Sequence, residues 1–398
     1  MKRNTIYQAM AVLAVFFMYA CNNNLDLDKT LNFSKLTVEE QKQQLEESAI
    51  EFVDVMEGIK DEAAFEPAMS FMNKADMTAA SPIKQLNLDL KNRSTRILKN
   101  FDRQLRIAYV DTTVVWGLYE WNSAQGEFVK TADYTDKIVY KYPSTETGTT
   151  NNVIVTIIYT ESDVLAPDSE QYYPSSMTYE MKVDGTVVMS ASFTGTYKDD
   201  GTPVKVKQSL EIGQYSWVAQ ITNTTEEASE SYEFKHASET LVKMEASAAG
   251  EITAENLNSD DPTATITKGA VYFQLMDMAV LGGMKDFQGF RDEMMALDNN
   301  AKADDQDRID VLNKYLICYG YYVSNNTKFA DVEFYLKTVE GEPYYDYNTQ
   351  QWISDTYTEV TPRFVLSDGS KVDIENYVQT GFEDLITRLQ EFQTETTN

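Results

Sequence analysis

The sequence predicts an α+β protein: a helical N-terminal segment, a long curved antiparallel β-meander packed on helices, and a C-terminal helix. Two observations carry this expectation. Apolar residues recur every three to four positions from Thr37 to Arg106, every second position from Ile107 to about Ala249, and every three to four again near the C-terminus. Turn dipeptides also punctuate the period-two region at Asp184-Gly185, Asp200-Gly201 and Gly213-Gln214.

The first element is a leader. Lys2 and Arg3 precede an apolar stretch from Ile6 to Ala20 interrupted only by Gln8. That is signal-peptide length, short of the roughly 20 residues of a spanning helix. Phe17-Met18-Tyr19-Ala20-Cys21 resembles the lipobox of bacterial lipoproteins, although Met18 stands where Leu, Val or Ile is preferred and Tyr19 where a small residue is. The resemblance covers about twenty residues. It implies cleavage before Cys21, lipidation of Cys21 and anchoring to an envelope membrane. The following Asn22-Asn23-Asn24-Leu25-Asp26-Leu27-Asp28 is similar to the acidic export tags of Bacteroidota-type surface lipoproteins, only sparser and interrupted by leucines. Residues 1–20 are thus expected to be a signal peptide and 21–36 a lipidated tether at the outer membrane, with surface display or a mere flexible spacer as its two roles.

Residues 37–106 read as helices. Thr37-Val38-Glu39-Glu40 fits a capping box, and Leu45, Ala49, Phe52, Met56 and Ile59 make one apolar face until Pro67 interrupts it. Ser81-Pro82 reopens a helix lined by Ile83, Leu86, Leu90, Ile97 and Phe101. Residues 107–265 form the meander, ending in a polar connection from Glu251 to Thr265. Residues 266–398 hold helices, a second group of strands and the closing helix, as one unit with the preceding segments. Val271, Tyr272, Leu275, Met276 and Ala279 crowd so closely that they predict a buried helix broken by Gly282-Gly283. Helices follow at Phe287 to Leu297 and Ile309 to Leu316, strands from Ile317 to about Val372, and a helix through Val378, Phe382, Leu385, Leu389 and Phe392 capped by Asp373. A transmembrane barrel shares the alternation. The helical ends and the anchor argue against it.

With 42% hydrophobic and 12% aromatic residues, the 398-residue chain has material for one large core or two smaller ones. Its formal charge of -29 repels phosphate backbones and anionic lipid faces, which excludes nucleic acid as a partner. Of its two cysteines, Cys318 lies in an apolar run and reads as a small core residue once Cys21 is lipidated.

Four features are candidate sites. Arg93, Arg96, Lys99, Arg103 and Arg106 share one helix face, either pairing with the acidic first helix or docking an anionic glycan, lipid phosphate or partner. Tyr119-Glu120-Trp121-Asn122 before Phe128, and Tyr345-Asp346-Tyr347-Asn348 before Trp352, suggest the same hairpin packing used twice, or aromatic platforms for sugar rings. His236, the only histidine, shares a strand face with Tyr232 and Phe234 and has neither a zinc-ligand set nor a Gly-x-Ser-x-Gly elbow beside it. The loop Asp298 to Asp307 is acidic but lacks the glycine and glutamate of an EF-hand. No catalytic residue, cofactor or metal is expected. The expectation is a non-enzymatic, membrane-anchored envelope lipoprotein recognising a glycan or an envelope protein. A carrier of lipid or another hydrophobic ligand, enclosed between curved sheet and buried helix, is the alternative, and a carboxylate-based hydrolase the third.

Overall fold

The structure, a computed structural model, describes residues 27, 29–77, 116–165, 172–251, 265–300, 303–341, 344–346, 351–353, 356–378 and 381–388. It is α+β with strands predominating. The described helices are α1 (Val38–Glu57), α2 (Phe65–Met77), α3 (Phe287–Asp298), α4 (Asp305–Tyr315) and α5 (Ile374–Val378), with further helical residues at 383–388. The strands of the meander are β1 (Gly117–Asn122), β2 (Glu127–Ala132), β3 (Lys137–Tyr142), β4 (Val153–Leu165), β5 (Tyr172–Val183), β6 (Thr186–Tyr197), β7 (Pro203–Ile212), β8 (Tyr215–Asn223), β9 (Glu227–His236) and β10 (Glu239–Gly250). After them come β11 (Ile266–Leu275), β12 (Met278–Met284), β13 (Leu316–Tyr322), β14 (Thr327–Glu340), β15 (Tyr344–Asp346), β16 (Gln351–Ile353), β17 (Thr356–Val365) and β18 (Lys371–Asp373). All but β15 and β16, which pair with each other, belong to a 16-stranded sheet ordered β18-β17-β14-β13-β12-β11-β10-β9-β8-β7-β6-β5-β4-β3-β1-β2. The chain divides into two compact units: a first of Met1–Val53, Thr224–Ser231 and Thr240–Asn398, and a second of Asp54–Asn223 and Tyr232–Glu239.

In the second unit, β4 to β8 follow one another as antiparallel neighbours. The β5–β6 reversal places Asp184 at φ 50 and Gly185 at φ 85, the left-handed pair whose twist matches that of the flanking strands. One departure from a simple meander occurs at its start, where β1 pairs antiparallel with β2 but parallel with β3. The apolar face carries Tyr140, Tyr142, Val153, Val155 and Met181, all buried, with Phe71 of α2 packed on them. Pro67 does not end a helix; it sits in the first turn of α2, where a missing N–H costs nothing, and its carbonyl accepts the Tyr142 hydroxyl at 3.2 Å. Lys74 is buried yet satisfied, donating to the Ser70 hydroxyl at 2.8 Å and to the Thr145 and Glu146 carbonyls at 3.2 Å. Desolvation pulls its ammonium below the usual range while Glu146 opposes this.

In the first unit, α1 opens on the expected capping box. The Thr37 N–H donates to Glu40 Oε2 at 2.8 Å and the Glu40 N–H to Thr37 Oγ1 at 3.3 Å. Its buried side is rotated from the anticipated stripe: Gln41, Leu45, Ser48 and Val53 are covered, and Gln41 donates to the Leu36 carbonyl at 3.2 Å. The buried helix expected around Val271 to Ala279 is instead the β11–β12 hairpin, reversing at Met276-Asp277. From Gly269 to Phe273 both faces of β11 carry apolar residues, so a strand and a buried helix give the same run of apolar letters there. Gly282 and Gly283 do not break an element but lie inside β12. The closing helix is also not continuous: Gly381 stands at φ 81 between helical residues 374–378 and 383–388, and residues beyond 388 lie outside those described. Asp373 ends β18 and is engaged by Tyr335 and Lys337.

Two layers flank the β10–β14 region. On one face, α3 and α4 bury Phe287, Phe290, Met294 and Leu312 against Ala248 and Met284, while Leu45 of α1 joins Tyr322, Phe329 and Tyr377. On the other face, the N-terminal residues 27 and 29–34 run as a strap, after which the chain crosses to the helix-bearing face, where Leu36 packs on the Leu45–Tyr322 cluster. Leu27 and Leu31 pack against Tyr272, Leu281 and Tyr319, and Phe33 bridges to Lys328.

Candidate functional site

The helix-bearing face of the first unit contains an open apolar row. Met244, Phe273 and Val280 stand directly opposite one another on β10, β11 and β12 and are 49%, 42% and 38% exposed. The next row toward α3 is Ala246, Val271, Gly282 and Cys318; the next toward α1 is Val242, Leu275, Met278 and Tyr322. Beyond these rows both ends are covered, by the α3–α4 cluster and by the Leu45–Tyr322–Tyr377 cluster. On β13 the open row ends at Gly320, where a Cβ would overlap the Phe329 ring, so that ring forms a side wall. Gly282, by contrast, leaves ordinary room: a Cβ there would lie 3.7 Å from Cys318 Sγ. The three exposed side chains span about 10 Å across the sheet, the width of two strand spacings.

Burial shifts two titratable groups on this face toward their uncharged forms. Burial pushes the Cys318 thiol up to about 12, with Asp331 adding to the shift. Glu230 alternates along β9 with Ala228, which packs on the α3–α4 cluster, and burial raises its carboxyl to about 7. Such a surface favours apolar contact. Among the described residues no group of three His, Cys, Asp or Glu side chains is gathered to hold a metal ion, and no helix is long and apolar enough to cross a membrane.

The sequence-derived candidates are distributed otherwise. Cys21 and the basic face Arg93, Arg96, Lys99, Arg103 and Arg106 lie outside the described residues. Tyr119 and Trp121 are half-buried and pack inward. Tyr119 stacks on Tyr140 at 5.3 Å, Trp121 meets Phe128 edge-on at 5.3 Å, and the Lys74 ammonium lies 5.4 Å over the Trp121 ring. Asn122 serves its turn, its Oδ1 accepting the Ala124 N–H at 3.0 Å. The second hairpin forms, but in another register: Tyr345 faces Trp352, whereas in the first hairpin Trp121 faces Phe128 and Tyr119 faces Lys130. Tyr347 and Asn348 lie outside the described residues. His236 leans on Tyr215 at 4.7 Å. Asp304 and Asp307 of the acidic loop cap α4 reciprocally.

Sequence reasoning missed a charged network on β14, β17 and β18. Glu333 takes Arg363 Nη2 at 2.5 Å and Lys371 Nζ at 2.7 Å; Asp373 takes Lys337 Nζ at 3.1 Å and the Tyr335 hydroxyl, over whose ring the Arg363 guanidinium lies at 4.3 Å. The Tyr335 and Lys337 hydrogen bonds hold the Asp373 carboxyl below the usual range. Each charge has an opposite partner, so the network stitches three strands together. Only period-two spacing of Glu333, Tyr335 and Lys337 signals it in the sequence.

Comparison with known proteins adds no assignment. No family model matches the chain, and no curated protein or solved structure is similar to it.

Proposed function

We propose that the protein is a lipid-anchored envelope lipoprotein, tethered through Cys21, that binds a hydrophobic ligand on the open row of Met244, Phe273 and Val280. The observation that carries the ligand assignment is this row itself: three large apolar side chains in register, exposed, on a face whose two ends are covered. Isolated exposed apolar residues are ordinary, whereas aligned ones form a contact surface. The anchor rests on the leader pattern alone. A hydrophobic ligand is preferred to a glycan because Tyr119 and Trp121 are spent on packing. It is a carrier without the buried helix first imagined for it, since residues 271–279 supply the floor and not a lid.

Binding of a fluorescent fatty acid to the mature protein tests the ligand assignment. Phe273→Glu puts a charge where the native ring is already exposed, so the fold is retained and affinity is expected to fall at least tenfold. Gly282→Leu is expected to fill the space beside Cys318 and weaken binding while leaving the melting temperature within a few degrees. Wild-type protein that takes up no fatty acid, or equal uptake by both variants, would falsify the assignment. Metabolic labelling with palmitate tests the anchor separately.

A further inference from the structure

We infer that the strap-bearing face of the first unit is the face held against the bilayer, leaving the open apolar row turned away from it. This rests on the lipoprotein reading and adds an orientation to it. The strap is part of the fold: Leu27 and Leu31 enter the cluster of Tyr272, Leu281 and Tyr319. The Ser34 N–H donates to the Lys328 carbonyl at 2.7 Å and the Lys328 N–H to the Asn32 carbonyl at 2.8 Å. Lys29 Nζ donates to Asn326 Oδ1 at 2.6 Å. Gly283 makes the seat, because a Cβ there would come 2.5 Å from Leu27 Cδ2.

A lipid on Cys21 is therefore separated from the first docked side chain by six peptide steps, at full stretch about 20 Å. A tether that short holds the strap-bearing face within about 20 Å of the lipid-bearing residue, with the sheet and the helix layer between that residue and the opposite face. Charge points the same way. The strap, its lead-in and the strands beneath it carry Lys29, Lys243, Lys268 and Lys328 against Asp26, Asp28, Glu245 and Asp331, an even balance. On the opposite face α1 carries Glu39, Glu40, Glu46, Glu47 and Glu51 with only Lys42 before Val53. In a chain of net charge -29 the strap side is the balanced one, which an anionic headgroup layer tolerates, and the helix side the one it repels.

The test uses the lipidated full chain in vesicles of phosphatidylethanolamine and phosphatidylglycerol, with a fluorophore on Lys268→Cys or on Met295→Cys. Lys268 is exposed on the strap side, and Met295 is 50% exposed on α3. A headgroup-borne nitroxide should quench the first label at least twofold more than the second. A flexible spacer of about twelve residues inserted after Asn24 should shrink that difference. Equal quenching, or stronger quenching at position 295, overturns the orientation in a protein shown to carry palmitate. A chain that takes up no palmitate and does not float with vesicles overturns the anchor and the orientation together.

Discussion

At the scale of single residues, Cys318 and Glu230 are the groups whose chemistry the fold changes most usefully. With its thiol at about 12, Cys318 carries almost no thiolate at neutral pH and should resist maleimide in the native protein, then react within minutes in urea. Rapid native labelling would show that the floor beside Gly282 opens. Glu230 behaves in the opposite sense to a salt-bridged carboxylate. Its pKa is raised from 4.5 to about 7 on folding, so the folded state holds the proton more tightly. The associated stability is complete below about pH 4.5 and is lost as pH rises through 7. Glu230→Gln should accordingly raise stability at pH 8 by up to about 3 kcal/mol and have little effect at pH 4; denaturant melts at both values check it. None of this was legible in the letters. Trp121 and Phe273 are both aromatic residues in strands, yet one packs against a core and the other is exposed, a difference set by which side of each strand the helices cover.

At the scale of elements, the N-terminal strap is the largest revision. Leu27 looks like an interruption in a polar spacer, but together with Leu31 it fastens the segment to the sheet. Leu31→Asp should lower stability by about 2 to 3 kcal/mol, since a charge would enter an apolar cluster. Thr37→Ala should cost about 1 kcal/mol through loss of the α1 cap. An unchanged urea midpoint for Leu31→Asp would reduce the strap to a spacer after all. The cap was readable because capping is local: four residues contain donor and acceptor alike. The β11–β12 hairpin differs from the expected helix because a strand with apolar side chains on both faces loses the alternation that marks a strand. Hairpin registers are nonlocal. The two aromatic hairpins share letters, yet Tyr345 and Trp121, at different places in those letters, are the residues facing the partner aromatic.

At the scale of the whole molecule, α+β composition and the long meander were legible because period and turn signals repeat over more than a hundred residues and local errors average out. The open row was not, because it needs three strands in register. With 63 acidic and 34 basic residues, the folded chain works against its own charge, so its melting temperature should rise as salt is increased from about 0.05 to 0.5 M. A fall in that range would mean that the compensated pairs around Glu333 outweigh the general repulsion. The strand order itself carries a consequence for the history of such a chain. From β4 to β8 each strand is bonded to its neighbour in sequence. Excising β6 and β7 would leave β5 and β8 still opposed in direction and able to pair, and duplicating a hairpin would lengthen the sheet without rethreading it. The width of this sheet is thus a quantity that genetic insertion and loss can change two strands at a time, while the helices and strap of the first unit keep their own strands.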